Sequence, residues 1–324
     1  MTDVRKEKRK EGEIIPIKFD YVFVSIFNNP QNIEILENFL SCYLEIPLEG
    51  IKGNLKIMPR ELELESKGSK NKQVDLILDL KGDKINIELN NNFTEGMIER
   101  NIVYACNIHG RQLRYGDNSY SNITKIIQIN FNVSKKYQTD KLVEKYELKG
   151  EEGNILSKKI RIDVINVHKS LEKCYTERDE KIARWCKLMI VDTKNELEKT
   201  LGDDLMEENA KEKLVNEVEK YSTDDEVVAL YSAYTREELE RNTVLEDERK
   251  EAREEGLKEG IQEGIKEGKE EGIKQGLQQG LQQGLQQGMQ QGMQEVARRM
   301  LKRGMPKEEI IEITGLTSEE ISQI

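Results

Sequence analysis

The chain has 324 residues, 62 acidic against 51 basic, for a net charge of −11. Apolar residues make up 36% and charged residues 35%, enough for one or two cores but with no apolar run that could span a bilayer. The acidic balance excludes a general nucleic-acid coat, and four cysteines without a CxxC pair beside only two histidines argue against a zinc site.

Residues 1–13 read as a charged, flexible leader without the apolar stretch of a signal peptide. Reduced thiols in a cytoplasm, away from any membrane, are the expected setting. Asp20 opens a short helix running to Phe27 and can serve as its cap. Asn28-Asn29-Pro30 ends it. Asn29 then caps a second helix, with Ile33, Leu36, Leu40 and Tyr43 as its buried stripe. Leu55–Met58 and residues 61–65 read as strand.

The stretch VDLILDLKGDKINIELN, residues 74–90, reads as a hairpin. Val74, Leu76, Leu78 and Leu80 alternate with Asp75, Ile77 and Asp79; Ile85, Ile87 and Leu89 alternate with Asn86, Glu88 and Asn90. With Gly82-Asp83 as the centre of the turn, Leu80 faces Ile85, Leu78 faces Ile87 and Leu76 faces Leu89. On the other, solvated face Asp79 meets Asn86, Ile77 meets Glu88 and Asp75 meets Asn90. Asp75 and Glu88 become diagonal neighbours roughly 7–8 Å apart. Two carboxylates at that separation can share a divalent cation; the alternative is a merely wet strand face.

A helix follows over residues 94–113, with Arg100 and Tyr104 one turn apart on one face. Arg100 is a candidate phosphate contact, or else the partner of Glu95 or Glu99. ITKIIQINF, residues 123–131, is a further strand, giving the order helix, three strands, helix, strand. Between Arg100 and Lys136 the cations are Arg100, Arg111, Arg114, Lys125, Lys135 and Lys136, a local basic surface suited to phosphates. Residues 159–167 read as an edge strand. Residues 168–253 read as a helical region, with Trp185, Leu188, Met189 and Leu201 as core and a helix start at residues 221–224.

Asp75 followed by Glu88-Leu89-Asn90 resembles the Asp…Glu-x-Lys signature of the PD-(D/E)XK nuclease superfamily. FDYVFVSIF at residues 19–27, the hairpin, and Arg100, Tyr104, Gln112, Gly116 and Tyr120 in their order and spacing resemble the Rpn family of recombination-promoting nucleases and transposases. The resemblance covers roughly residues 13–260. It implies an α/β, PD-(D/E)XK-like αβββαβ core over residues 14–167, followed by the helical region and a long C-terminal helix. It also implies Asp75 and Glu88 as metal ligands, Asp20 as an acid near the metal, residue 90 as the third catalytic position, and Mg²⁺ as cofactor. Val24 stands where a lysine usually follows the phenylalanine, and Asn90 stands where lysine or glutamine is usual.

From Gly256 to Gly292 a glycine recurs every fourth residue, each followed by an apolar residue except at Lys269. Each interior glycine costs a helix about 1 kcal/mol relative to alanine. Residues 254–293 are therefore expected either to self-associate as a helix or to form a low-complexity linker, with self-association favoured. Residues 294–324 resemble a helix-turn-helix, with Gly304 ending one helix, Pro306 starting the next and Ser318 capping the last. That last helix, SEEISQI, lacks the cations of a DNA reader, which favours packing or oligomerisation. The expected function is a Mg²⁺-dependent DNA endonuclease that oligomerises through the repeat. The alternative is a catalytically reduced nuclease fold acting as an oligomeric DNA-binding or interaction protein.

Overall fold

A computed structural model describes residues 11–62, 72–92, 94–113, 118–135, 140–171 and 176–324. Arg114, Gly116, Lys136 and Cys174 lie outside the described residues, as do positions 63–65 of the expected second strand. The chain divides into two compact units, residues 1–236 and 237–324. No helix among the described residues is long and apolar enough to cross a membrane.

In the first unit, α1 (Asp20–Phe27) buries Val22, Phe23, Ile26 and Phe27, an i, i+1, i+4, i+5 pattern that gives a short helix one apolar face. Its N-cap is Phe19, with no side-chain cap bond, so Asp20 does not cap the helix. The Asp20 carboxylate instead accepts a hydrogen bond from Asn91 Nδ2 at 2.8 Å. The side chain of Asn29 accepts from the backbone of Gln31, as expected of a cap. α2 (Ile33–Leu44) then packs its stripe into the main core, where Phe39 sits 5.4 Å from Trp185 and 5.6 Å from Phe131, ring centre to ring centre. A single turn, α3 (Leu48–Ile51), leads into the sheet.

Among the described residues eight strands follow: β1 (Leu55–Met58), β2 (Glu61–Leu62), β3 (Lys72–Gln73), β4 (Leu76–Leu80), β5 (Asp83–Asn90), β6 (Ile126–Asn132), β7 (Val143–Lys149) and β8 (Ile155–Asn166). β2 and β3 pair only with each other. The other six form one sheet in the order β1-β4-β5-β6-β8-β7. β1, β4 and β5 are antiparallel neighbours; β5, β6 and β8 run parallel. A parallel pair needs a crossover, and α4 (Glu95–Gly110) supplies it between β5 and β6. This is the expected αβββαβ order with a short ribbon inserted after its first strand.

The hairpin register differs from the expected one by two residues. Leu76 pairs with Ile87, Leu78 with Ile85 and Leu80 with Asp83. Lys81 and Gly82 take the two turn positions, at φ +54° and +96°, the left-handed values a two-residue loop of this kind demands. Asp79 fixes the loop by accepting from the Gly82 N–H and pairing with Lys84. Asp83 is freed to begin β5, where it accepts from the Lys125 N–H. A shift of two leaves every side chain on its face, yet it brings Asp75 opposite Glu88 rather than Asn90.

Nor is residues 159–167 an edge. β8 lies inside the sheet, with β6 on one side and β7 on the other, and β7 is the edge. Leu76, Leu78, Ile85, Ile87, Ile129 and Phe131 face the main core under α2 and the later helices. The opposite face is covered by α4, where Val74, Ile77, Ala105, Ile108 and Ile126 form a smaller apolar cluster.

Helices α5 (Glu177–Ile190), α6 (Lys194–Leu201) and α7 (Glu208–Thr223) follow in the first unit, with Trp185, Leu188, Met189 and Leu201 buried as expected. Asp224 Oδ1 accepts from the N–H groups of Glu226 and Val227, capping α8 (Asp225–Lys302). That helix runs unbroken through the glycine repeat. In the second unit, α9 (Lys307–Thr314) and α10 (Ser318–Ser322) close a small core of Ala297, Ile310, Leu316 and Ile321. The cap of α10 is Thr317, in a reciprocal capping box with Glu320, and not Ser318.

Candidate functional site

The site is built at the end of the β4–β5 hairpin where the two strands part. Asp75 lies just before β4 and Glu88 near the end of β5. Each side chain is held by the other strand's backbone. The Asp75 N–H donates to Glu88 Oε1 at 3.2 Å, and the Leu89 N–H donates to Asp75 Oδ2 at 2.8 Å. Asp75 Oδ1 and Glu88 Oε2 receive no hydrogen bond from any described residue. Both carboxylates therefore keep one oxygen for a ligand.

The polar strand face is not wet, contrary to expectation. Asn86, Glu88 and Asn90 are buried, and so are Gln128, Asn130 and Asn132, which stand beside them on β6 in three matched rows. Burial of this many polar groups is costly without partners, and the amides supply most of them, with Asn86 Oδ1 alone of the fully buried amide atoms in these rows finding none among the described residues. Asn86 Nδ2 donates to Glu88 Oε1 at 3.1 Å and to Gln128 Oε1 at 2.8 Å. Gln128 Nε2 donates to Asn130 Oδ1 at 2.9 Å, and Asn130 Nδ2 to the Asp163 carbonyl at 3.1 Å. Asn90 Nδ2 donates to Asn132 Oδ1 at 2.9 Å. These rows orient Glu88 and Asn90 from beneath.

The electrostatics follow from that burial. Loss of solvent, reinforced by the charge of Asp75, pushes the Glu88 carboxyl up to about 8. Burial also raises Asp75, offset in part by the Leu89 N–H and by Arg60 and Arg100. Asp20, at the rim, is raised first by crowding protein atoms and then by Asp75, against the Asn91 hydrogen bond and Arg100. Asp20, Asp75 and Glu88 thus belong to one electrostatic unit although they come from three elements.

Arg100 projects from the first turns of α4, and its Nη2 donates to Asn90 Oδ1 at 2.8 Å. Its guanidinium carbon lies 5.7 Å from the Tyr104 ring centre. It makes no ion pair with Glu99; the side chain of Glu95 lies outside the described residues. Arg111, at the far end of the same helix, is about 16 Å further along its axis. It does not join the carboxylates. Arg114 lies outside the described residues. Val24 packs against the main core. Gln112 joins the end of α4 to the start of β6 through both amide atoms, its Oε1 accepting from the Thr124 N–H at 2.7 Å.

Two contributors were not anticipated. Arg60, whose Nε donates to the Val74 carbonyl at 2.8 Å, acts electrostatically on Asp75. The amide rows were the other, and their signal was present in the sequence: IIQINFN repeats the period-two polar pattern of INIELN.

Among the described residues no three side chains of metal-ligating type converge closely enough to enclose a metal by themselves. The arrangement instead offers two carboxylates with open oxygens. That suits a hard divalent cation that keeps several waters and takes one or two protein carboxylates.

Residues 17–248 match the family model described as PD-(D/E)XK nuclease family transposase. Residues 290–324 match that of the C-terminal HTH domain of the Rpn/YhgA-like nuclease family, in accord with the helix-turn-helix likeness of the tail. No curated protein and no solved structure gives a significant match. With more than half of its length matched, carrying the αβββαβ core and the Asp75–Glu88 pair, the chain belongs to the PD-(D/E)XK nuclease family transposases.

Proposed function

We propose that the protein is a Mg²⁺-dependent DNA endonuclease that hydrolyses phosphodiester bonds in recombination or transposition. The observation that carries this reading is the pairing of Asp75 and Glu88 across the parted hairpin, each with one uncommitted oxygen. A carboxylate held as high as Glu88 needs a compensating cation before it can stay ionised at neutral pH. Asp75 and Glu88 would hold a Mg²⁺ ion, which would supply a Lewis acid for the phosphodiester and lower the pKa of an attacking water. Asp20 adds negative charge at the rim. Arg100 and, further along α4, Arg111 and Arg114 are the contacts for DNA phosphates.

Plasmid nicking with and without Mg²⁺ tests this, alongside Asp75→Asn, which keeps an acceptor for the Leu89 N–H. Wild type cuts only with Mg²⁺, and the variant neither cuts nor binds Mg²⁺ by calorimetry. A variant that cuts as well as wild type sinks the site.

A second reading has its own support. Asn90 carries no charge, and Val24 is an apolar side chain half-buried against the core. A catalytically reduced fold that binds DNA through the C-terminal HTH domain would bind without cutting in the same assay.

The repeat supports assembly under either reading. Leu257, Leu277, Leu281 and Leu285 are 65–75% exposed along α8, and apart from the adjoining residues and the helix's own local backbone nothing lies within 4 Å of where a Cβ would stand on any glycine from Gly256 to Gly292. A second copy of the helix crossing part of such a stripe covers it there, and paired nuclease domains suit cutting both strands. Truncation after Arg253 should convert an oligomer to a monomer by light scattering; equal oligomerisation of both forms excludes the repeat as the interface.

A further inference from the structure

We propose that Arg100, carried on α4 and held by the side-chain carbonyl of Asn90, is the cationic catalytic residue of the cleavage site, replacing the lysine of the PD-(D/E)XK motif. The proposal rests on the nuclease reading above.

The motif that names the family ends in a lysine two residues beyond the glutamate. Here that position is Asn90, which is buried and neutral. Its two amide atoms have different partners. Nδ2 donates to Asn132, and Oδ1 faces α4 and accepts from Arg100 Nη2. Asn90 is therefore a bracket for a cation delivered from another element. A lysine at the same position would meet the guanidinium as a like charge.

The Arg100 charge reaches all three acids, favouring the ionised forms of Asp20, Asp75 and Glu88. Arg60 acts only on Asp75 within this set, and its Nε is committed to a backbone carbonyl. Yet Arg100 makes no direct ion pair with any of the three. It is held near the carboxylates and short of contact. A guanidinium carries five N–H donors in a fixed plane, and Asn90 takes one of them. Tyr104, a turn further along the helix, flanks the group. The free edge of this fork has the geometry that binds two phosphate oxygens at once.

The role is electrostatic. In hydrolysis the water oxygen forms a new bond to phosphorus while the bond from phosphorus to the leaving oxygen breaks. The water yields one proton to solvent, and the leaving oxygen takes one from solvent. Arg100 keeps its own proton throughout and stabilises the charge that builds on the phosphoryl oxygens.

The test uses the full chain with Arg100→Gln, Asn90→Lys, and both together. Glutamine keeps a donor for the Asn90 carbonyl and removes the charge; thermal melts confirm folding, and Arg100→Lys carries the comparison if Gln is not tolerated. Arg100→Gln should lower Mg²⁺-dependent nicking by about 10²-fold, the scale of one lost oxyanion donor. Its Mg²⁺ affinity by calorimetry at pH 9 should hold or tighten, since a competing cation is gone. A purely structural role would weaken it instead. The double variant, with the cation moved to the strand, should recover at least tenfold over Arg100→Gln. Asn90→Lys alone should not exceed wild type. Arg100→Gln cutting like wild type, losing Mg²⁺ affinity, or gaining nothing from Asn90→Lys overturns the assignment alone. Wild type that binds Mg²⁺ and cuts nothing overturns the nuclease reading and the assignment together.

Discussion

Glu88→Gln should make the metal-free protein more stable, and increasingly so as pH rises. In the fold the Glu88 carboxyl is lifted from its ordinary 4.5 to about 8 by burial and by Asp75. Between those values the folded chain holds a proton that the unfolded chain has released. Stability therefore falls as pH climbs from 4.5 and levels off once pH passes about 8. At about 1.4 kcal/mol per unit, the full loss is on the order of 4–5 kcal/mol. Glutamine does not titrate, and its carbonyl still accepts from Asn86 Nδ2 and the Asp75 N–H. The difference in urea unfolding free energy between variant and wild type should be small near pH 4.5 and reach several kcal/mol at pH 9, in chelator. Mg²⁺ should erase that difference by compensating the wild-type carboxylate. A difference that stays constant from pH 4.5 to 9 refutes the buried, uncompensated Glu88 on which the site depends.

Other outcomes follow from packing and caps. Tyr43→Phe removes the hydroxyl that donates to the buried Asp163 Oδ2 at 2.8 Å, so urea unfolding should show a loss of about 2 kcal/mol. Trp185→Ala empties a fully buried site beside Phe39 and should cost about 3–5 kcal/mol by the same measurement. Thr317→Ala breaks the capping box of α10 and should lower the stability of the second unit by about 1 kcal/mol, read as faster amide exchange around Ile321.

Alternation was enough to reveal which residues of the hairpin share a face, because the side-chain period of a strand is two whatever the register. The register itself depended on which residue accepts positive φ, and Lys81 does so against its ordinary preference. The polar face was misjudged for a different reason. Whether Asn86, Glu88 and Asn90 are wet or buried depends on α4 and β6, which arrive only through the parallel crossover. The same limit hid the place of Asp20. An aspartate at a helix start reads as a cap, and only its contact with Asn91, distant in sequence, shows otherwise. β7 is hard to read in the sequence because VEKYELK is a charged edge strand whose apolar residues Val143, Tyr146 and Leu148 do not keep a strict period of two.

The repeat can be tested further through its geometry. Four residues of an α-helix turn through about 400°, so each glycine advances about 40° around the axis from the last. Over the nine steps from Gly256 to Gly292 the stripe makes about one full turn in about 54 Å. A heptad seam drifts about 20° the other way in seven residues, which a gentle supercoil absorbs. Absorbing the glycine stripe would require a right-handed superhelix far tighter than the ~150 Å pitch of ordinary coiled coils. Two copies therefore should not zip along the whole repeat. They should cross, with two or three consecutive glycines at the contact. A single Gly→Ala change then leaves assembly intact, because the crossing point can move by four residues to an equivalent site. Alanine at Gly260, Gly268, Gly276, Gly284 and Gly292 leaves no two consecutive glycines. Each such change favours helix by about 1 kcal/mol, and space is open for the added methyl on a lone helix. Helicity by circular dichroism should rise while the mass by light scattering falls toward the monomer. If helicity rises and the mass does not change, the glycines are not the contact and this crossing model fails.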